Sequence, residues 1–271
     1  MLQLMYITNN VELAQLAVDA GVNRIFIDLE ILGKVERQGH LNTLISHHTL
    51  KDVETIRKAL PTTNLLVRIN PYHENTQQEI KDVLQFNPQF IMLPMYKTLQ
   101  EVEKVAEFID GKAELIPLLE TAEALHNVNE VAQIKGVSEV YICLNDLHLA
   151  LKLKFMFLLL ADGTVEKIAN RVKESGKRFG FGGIARIAEG LLPAEYILAE
   201  HERLGSSSVI LSRTFHRLHD NLNENDPTLD FLEEIKRLRD CEQRLLLRTE
   251  KERIKDKEKL SQRTMEIVGH V

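Results

Sequence analysis

The chain has 271 residues, 44% of them hydrophobic, with 34 basic side chains against 40 acidic ones. This composition is too apolar for a disordered protein and too evenly charged for a nucleic-acid-binding surface, so we expect no nucleic-acid partner. The longest apolar run, residues 155–161, is far shorter than the roughly 20 residues of a membrane-spanning helix, and no charged signal-peptide start is present, which predicts a cytoplasmic chain without a membrane partner.

Eight short apolar segments rich in β-branched residues recur along the chain, each followed by an amphipathic stretch. The predicted strands are Leu4–Thr8, Arg24–Glu30, Leu65–Asn70, Phe90–Pro94, Glu114–Leu119, Glu139–Leu144, Phe179–Ile184 and Ser208–Ser212. The predicted helices lie near residues 10–20, 49–59, 76–86, 98–109, 121–134, 164–177 and 193–204, with a long one from about 226 onward. Eight alternating pairs predict an α/β fold, a (β/α)8 TIM barrel. An open doubly wound sheet is the alternative, but no Gly-x-Gly-x-x-Gly follows the first strand.

The C-terminal segment differs in composition from the rest of the chain. Between Leu232 and Arg263, 19 of 32 residues are charged, with both signs, and apolar residues recur at helical spacing. We therefore predict a barrel domain over residues 1–222 and an extended charged C-terminal helix over 223–271. This helix is expected to pack on the barrel or on a neighbouring subunit, which predicts a homo-oligomer.

In a closed barrel, active-site groups lie at the C-terminal ends of the strands. Polar residues collect at these ends here: Asp28, Glu30, Arg68, Asn70, Lys97, Glu120, Thr121, Asn145, Asp146, Gly182, Gly183, Arg186, Ser212 and Arg213. Four carboxylates and four cations at one rim are typical of a site for a small anionic metabolite.

Two of these carboxylates, Glu120 and Asp146, follow adjacent predicted strands. A pair of carboxylates suits Mg²⁺ or Mn²⁺, which complete their coordination with water or substrate oxygens. The alternative is that one of them caps a helix and pairs with an arginine. Arg68, Arg186 and Arg213 would face this pair, and a planar guanidinium binds a carboxylate or phosphate through two hydrogen bonds.

The glycine pair Gly182–Gly183 has two interpretations. It either brings backbone N–H groups to a bound oxyanion or forms a packing bend. No lysine lies inside a predicted strand, and Lys34 and Lys97 are loop residues. A Schiff-base mechanism therefore has no obvious amine, and a metal would have to act as the electron sink.

Five segments in the same order resemble the metal-dependent (β/α)8 barrels of the HpcH/HpaI aldolase and citrate lyase β-subunit superfamily. They are Ile25-Phe-Ile-Asp-Leu-Glu30, Val67-Arg-Ile-Asn-Pro71, Ile91-Met-Leu-Pro94, Leu115-Ile-Pro-Leu-Leu-Glu-Thr-Ala122 and Cys143-Leu-Asn-Asp-Leu147. The resemblance implies that Glu120 and Asp146 ligate a divalent ion, Mg²⁺ or Mn²⁺. It also implies that Arg68 holds an oxygen of a 2-oxo acid such as pyruvate or oxaloacetate, which the metal chelates.

The sequence departs from the family pattern at three places. In the family pattern, the position of Ile31 resembles a His site in the aldolase branch and an Asp site in the lyase branch. The usual acid–base group is therefore missing there. Cys143 occupies the place of a frequent Gly, and Asn145 that of an acidic residue. The half beyond residue 150 fits neither branch well.

The sequence thus predicts a lyase, specifically a divalent-metal-dependent carbon–carbon lyase or aldolase that acts on a 2-oxo acid through a metal-stabilised enolate. The candidate catalytic residues are Arg68, Glu30 and Asp28. The candidate substrate-binding residues are Arg68, Lys97, Gly183, Arg186, Ser212 and Arg213. Glu30, a metal-bound water, or His47 or His48 would move the proton, the two histidines if the loop 31–49 closes as a lid.

Two alternatives remain open at this point. One is a lyase for an acyl-CoA thioester or a phosphorylated substrate, which the arginines and the glycine pair would accommodate. The other is a catalytically weak barrel that binds an anionic metabolite, a hypothesis motivated by Ile31.

Overall fold

Eight parallel strands close into a single barrel in chain order, with the last strand pairing the first. The computed structural model describes residues 1–34, 46–216 and 231–269, apart from the side chains of Arg213 and His216. The strands are β1 Gln3–Ile7, β2 Arg24–Asp28, β3 Asn64–Arg68, β4 Phe90–Leu93, β5 Glu114–Leu119, β6 Glu139–Ile142, β7 Arg178–Ile184 and β8 Ser208–Leu211. The predicted α/β barrel is therefore confirmed, and the open sheet is excluded.

Most of the strands form because they carry apolar residues on both faces. One face packs against the surrounding helices, and the other fills the barrel with Met5, Phe26, Leu66, Phe90, Met92, Ile116, Leu118 and Tyr141. Successive strand residues point to opposite faces, so residues two positions beyond an interior side chain also face inward. By this rule, Asp28 faces the barrel interior as Phe26 does, and Glu120 faces it as Leu118 does.

Helices cover the outside of the barrel. They are α1 Val11–Asp19, α2 Leu50–Ala59, α3 Thr76–Leu84, α4 Leu99–Ile109, α5 Val128–Gln133, α6 Leu144–Ala150, α7 Leu158–Ala161, α8 Thr164–Glu174, α9 Ala194–Leu204, α10 Phe231–Leu246 and α11 Glu250–Gly269. The segment predicted as one helix over 121–134 is a short 3₁₀ turn, Glu123–His126, followed by α5. None of the described helices has the length and apolar character that a membrane span requires.

The charged C-terminal segment is helical, and its described part consists of two helices. The break has a local cause: Thr249 and Glu252 form a capping box, in which each side chain accepts the other residue's backbone N–H. Both helices pack against α9 of the same chain. Arg253 pairs with Glu202 at 2.7 Å, and Lys257 pairs with Glu166 at 2.6 Å. The predicted domain boundary at 222/223 lies outside the described residues, and the homo-oligomer stays a prediction.

The N-terminal end of the barrel is filled by a buried polar cluster. Arg24 donates to Glu139 at 2.9 Å, and the Ser208 hydroxyl donates to the other oxygen of Glu139. The guanidinium of Arg24 also lies over the Phe90 ring, 4.1 Å from its centroid. Gly180 of β7 lies against this cluster, and a Cβ added to it would come within 2.7 Å of the backbone oxygen of Ser208.

The glycines of β7 therefore provide a test of the interior packing. Gly180→Ala should lower the free energy of unfolding by about 2 kcal/mol or more, because the new methyl group meets backbone atoms that have no room to shift. Gly183→Ala on the same strand is the control, since its Cβ would have contacts of 3.7 Å or longer. Urea denaturation of both variants measures the difference, and equal stabilities would contradict the described packing.

Candidate functional site

Asp28 and Arg68 lie at the C-terminal ends of adjacent strands and form a two-pronged ion pair. The register of β2 and β3 places the two residues directly opposite each other. Arg68 Nε donates to Asp28 Oδ1 at 2.8 Å, and Arg68 Nη2 donates to Oδ2 at 2.7 Å. Such a fork fixes the plane of the guanidinium as well as its position.

Lys34 joins this pair from the turn that follows β2. Its side chain is buried, and Nζ donates to Asp28 Oδ2 and lies 3.7 Å from Glu30 Oε2. Asn70 shapes the turn, because its Oδ1 accepts the backbone N–H groups of Ile31 and Leu32 at 2.9 and 3.0 Å. Lys34 has no predicted role from the sequence beyond that of a loop residue, although its i,i+4 spacing from Glu30 is a signal that indicates an ion pair.

Two charged neighbours, Arg68 and Lys34, determine the ionisation of Asp28. Burial by itself raises the pKa of a carboxyl group, but the charges and hydrogen bonds of Arg68 and Lys34 outweigh it and hold the pKa of Asp28 well below its usual range. Burial likewise lowers the pKa of Arg68, and Asp28 and Glu30 more than compensate, so the pKa of Arg68 is raised. Glu30 Oε2 lies 3.4 Å from Arg68 Nε. Asp28 is thus an anion that holds Arg68.

Across the interior, the structure brings together Glu120, Cys143 and Asp146. One ligand atom from each lies within 4.8 Å of the other two. Glu120 follows β5 and Cys143 follows β6, whereas Asp146 lies in the first turn of α6 rather than at a strand end. Glu120 Oε1 accepts the Met95 N–H at 2.8 Å, and the Cys143 thiol donates to Asp146 Oδ2 at 3.2 Å.

The electrostatics of this cluster favour a bound cation. Burial and the nearby charges of Asp146 and Glu30 raise the pKa of Glu120 to about 8. Burial and the charges of Asp146 and Glu120 also raise the pKa of the Cys143 thiol. A divalent ion between Glu120 and Asp146 would remove the repulsion between them, and Mg²⁺ is commonly held by one or two carboxylates together with water. The donor set therefore fits a divalent cation.

The remaining predicted substrate-binding residues are spread around the same end of the barrel. Lys97 is exposed, whereas Arg186 is buried, with Nη2 3.6 Å from Glu189 Oε1. The Ser212 hydroxyl hydrogen-bonds Thr214 Oγ1 at 3.0 Å. Gly183 continues β7 after a register shift at which Gly182 takes a φ of +57°. The side chain of Arg213 lies outside the described residues.

The predicted lid loop is described only in part. Residues 35–45, which include Arg37 and His40, lie outside the described residues. His47 is exposed, whereas His48 is half-buried and its Nδ1 accepts the Asp28 backbone N–H at 3.1 Å. Burial lowers the pKa of His48, which agrees with a neutral ring whose Nδ1 is an acceptor.

Comparisons with known proteins give one family. A model for the HpcH/HpaI aldolase/citrate lyase family matches residues 3–181. No curated protein matches the chain in sequence.

Solved structures with the same fold have low sequence identity to this chain. An HpcH/HpaI aldolase from Desulfitobacterium hafniense has 12% identity and a TM-score of 0.60, over 77% of this chain and 85% of that one. The citrate lyase beta subunit from M. tuberculosis, complexed with oxaloacetate and magnesium, has 16% identity and a TM-score of 0.54. The match covers 89% of this chain and 96% of that one. The protein CitE from Mycobacterium tuberculosis, in complex with magnesium, acetoacetate and coenzyme A, has 15% identity and a TM-score of 0.56. The match covers 92% of this chain and 82% of that one.

The raised pKa of Glu120 predicts a pH-dependent stability in the metal-free protein. The folded chain keeps the proton of Glu120 up to about pH 8, whereas the unfolded chain loses it near pH 4.3, so the free energy of unfolding should fall as the pH rises between these values. Glu120→Gln should abolish this part of the fall, and saturating Mg²⁺ should reverse it in the wild type. Urea denaturation in the presence of a chelator measures both.

The control for this experiment is Glu114→Gln, at the other, exposed end of β5. This variant should keep the wild-type pH dependence. A Glu120→Gln variant with the same pH dependence as the wild type would contradict the described environment of Glu120.

The ion pair between Asp28 and Arg68 gives a second prediction. Asp28→Asn removes the anion that is hydrogen-bonded to both Arg68 and Lys34 and leaves only the longer contacts of Glu30, which should lower the free energy of unfolding by about 3 kcal/mol at neutral pH. Glu54→Gln, which removes an exposed anion beside Lys51 and Lys58, should change stability little. Chemical denaturation compares them, and an unchanged unfolding midpoint for Asp28→Asn would refute the proposed stabilisation.

Proposed function

Since the chain belongs to the HpcH/HpaI aldolase/citrate lyase family, we propose that it is a divalent-metal-dependent carbon–carbon lyase or aldolase acting on a 2-oxo acid such as pyruvate or oxaloacetate. The observation that carries this proposal is the arrangement of two groups in one barrel end. A guanidinium fixed by Asp28 interacts electrostatically with Glu120, and Glu120 and Asp146 form a pair of carboxylates that fits a cation.

Glu120 and Asp146 would hold the Mg²⁺ or Mn²⁺ ion. When bound, the ion supplies a Lewis acid for the carboxylate and keto oxygens of the substrate and so stabilises the enolate that carbon–carbon cleavage produces. The barrel contributes by placing both carboxylates before the substrate arrives, so that little reorganisation is needed during the reaction.

Arg68 would bind and orient the substrate. The fork to Asp28 uses two of the five N–H donors of the guanidinium, which leaves three that can donate to a substrate oxygen. Asp28 is then a positioning residue, because it acts on the substrate through Arg68. Arg186, Arg213, Lys97, Gly183 and Ser212 are proposed to bind the rest of an anionic substrate.

Glu30 is the proposed proton acceptor. Ile31 occupies the position of the usual acid–base group of the family, and Glu30 Oε2 is the neighbouring carboxylate oxygen, 3.4 Å from Arg68 Nε. Lys34 Nζ on its other side would stabilise charge changes at that oxygen. We propose that Glu30 Oε2 takes up the proton of the substrate hydroxyl as the carbon–carbon bond breaks and returns it to the carbon that the cleavage releases.

Two other functions use the same site. A lyase for an acyl-CoA or phosphorylated substrate is supported by the fold shared with the CitE protein that binds coenzyme A. A weakly catalytic barrel that binds an anionic metabolite is supported by the residue at position 31. Binding of acyl-CoA esters alone favours the first, and tight 2-oxo acid binding without turnover favours the second.

The leading proposal predicts metal-dependent binding of pyruvate. In titration calorimetry, pyruvate should bind only when Mg²⁺ is present, and Glu120→Gln should abolish this binding because one of the two metal carboxylates is lost. Arg68→Lys should weaken pyruvate binding by about tenfold or more and leave Mg²⁺ binding unchanged, because lysine cannot form the two-pronged ion pair with Asp28. Glu114→Gln and Arg178→Lys, which alter an exposed ion pair at the opposite end of the barrel, are the controls. Equal pyruvate binding with and without Mg²⁺ would refute the proposal.

A further inference from the structure

Cys143 is the third member of the cluster formed with Glu120 and Asp146. Its side chain faces the barrel interior, two positions beyond the interior residue Tyr141. The backbone N–H of Cys143 donates to the Leu119 carbonyl at 3.0 Å, so continued pairing between β5 and β6 fixes the point at which the sulfur enters the site. Leu119 directly precedes Glu120, and the same contact therefore ties the two ligand-bearing segments together.

The distances in the cluster suit direct coordination by sulfur. Bond lengths of about 2.3 Å to sulfur and 2.1 Å to oxygen place a thiolate and a carboxylate oxygen of a tetrahedral ion about 3.6 Å apart. Cys143 Sγ and Asp146 Oδ2 are 3.2 Å apart, and one atom from each of the three residues lies within 4.8 Å of the others. Side-chain shifts of about 1 Å or less would bring separations of up to 4.8 Å to about 3.6 Å and place all three atoms around one ion.

The type of ligand determines which ion is favoured. Two carboxylates alone suit hard ions such as Mg²⁺, whereas a thiolate favours softer ions such as Zn²⁺ and Co²⁺. Catalytic zinc sites typically have three protein ligands and one open position. A site of two carboxylates and one thiolate leaves that fourth position open, and expansion to five ligands would admit both oxygens of a chelating 2-oxo acid.

We propose that Cys143 Sγ is a third protein ligand, and that this chain consequently binds Zn²⁺ and Co²⁺ through sulfur and far more tightly than Mg²⁺. The inference rests on the proposed function only in requiring a cation at Glu120 and Asp146. Coordination breaks the S–H bond and forms a sulfur–metal bond, and the proton passes to the buffer.

Cobalt spectroscopy of the full-length, chelator-treated protein tests the sulfur bond directly. Co²⁺ should produce a sulfur-to-cobalt charge-transfer band in the near ultraviolet in the wild type. Cys143→Ser should lack the band, whereas Cys241→Ser, which changes the other cysteine, should retain it. Absence of the band in a wild-type protein that has bound Co²⁺ would overturn the inference.

Metal affinities distinguish a Cys143 that ligates the ion from a Cys143 that only donates a hydrogen bond to Asp146. Both substitutions, Cys143→Ser and Cys143→Ala, should weaken Zn²⁺ binding by more than about tenfold and Mg²⁺ binding by less than about threefold. If Cys143 only donates to Asp146, Cys143→Ser should bind both ions like the wild type, and Cys143→Ala should weaken both alike. That second pattern would overturn the inference. Thermal unfolding of the metal-free variants checks that they fold.

The proposed function has a separate readout in the same titrations. The Glu120→Gln variant should lose the binding of both Mg²⁺ and Zn²⁺. If that loss occurs while Cys143→Ser keeps wild-type Zn²⁺ affinity, the metal site of the proposed function is retained and the sulfur ligand is refuted. A wild-type protein that binds neither ion refutes both.

Discussion

The alternation of strand residues between the two faces of the barrel is the constraint on which the site depends. Phe26, Leu66, Leu118 and Tyr141 fill the interior, so the residues two positions further on must also face inward. Those residues are Asp28, Arg68, Glu120 and Cys143. A shift of one residue in any of these strands would move its functional side chain to the helix-covered face. The apolar packing of the barrel therefore positions the chemistry as well as stabilising the fold.

Charge balance differs between the two ends of this interior. At the N-terminal end, Arg24 and Glu139 compensate each other, and Ser208 donates to the second carboxylate oxygen. At the C-terminal end, the described site has four carboxylates, Asp28, Glu30, Glu120 and Asp146, against two cations, Lys34 and Arg68. Removing ions from water is costly unless they are compensated. When Glu120 gives up its proton to bind a metal, the excess is two negative charges, which one divalent cation would balance.

The barrel was predictable from the sequence because its signals are local. Each strand is a short apolar run, and the polar residues that follow it are visible in the chain. The cluster contact of Cys143 was missed because it joins segments far apart in sequence, whereas Lys34 was missed although its i,i+4 spacing from Glu30 is a local signal. Lys34 reaches Arg68 through Asp28 on a neighbouring strand, and Cys143 meets Glu120 only when β5 and β6 pair. Asp146 was expected at a strand end, but the strand gives way to α6 before it.

Burial and function are separate properties of the charged groups in this barrel. Arg24 and Glu139 are as deeply buried as Glu120, yet their mutual ion pair leaves no excess charge for a ligand to compensate. Arg68 is also paired, but its fork to Asp28 occupies only one edge of the guanidinium, and the other donors remain for a substrate. The site is therefore identified by two requirements: a cation that offsets the repulsion between Glu120 and Asp146, and an acceptor for the remaining hydrogen-bond donors of Arg68. A metal chelated by an anionic 2-oxo acid would satisfy both requirements at once.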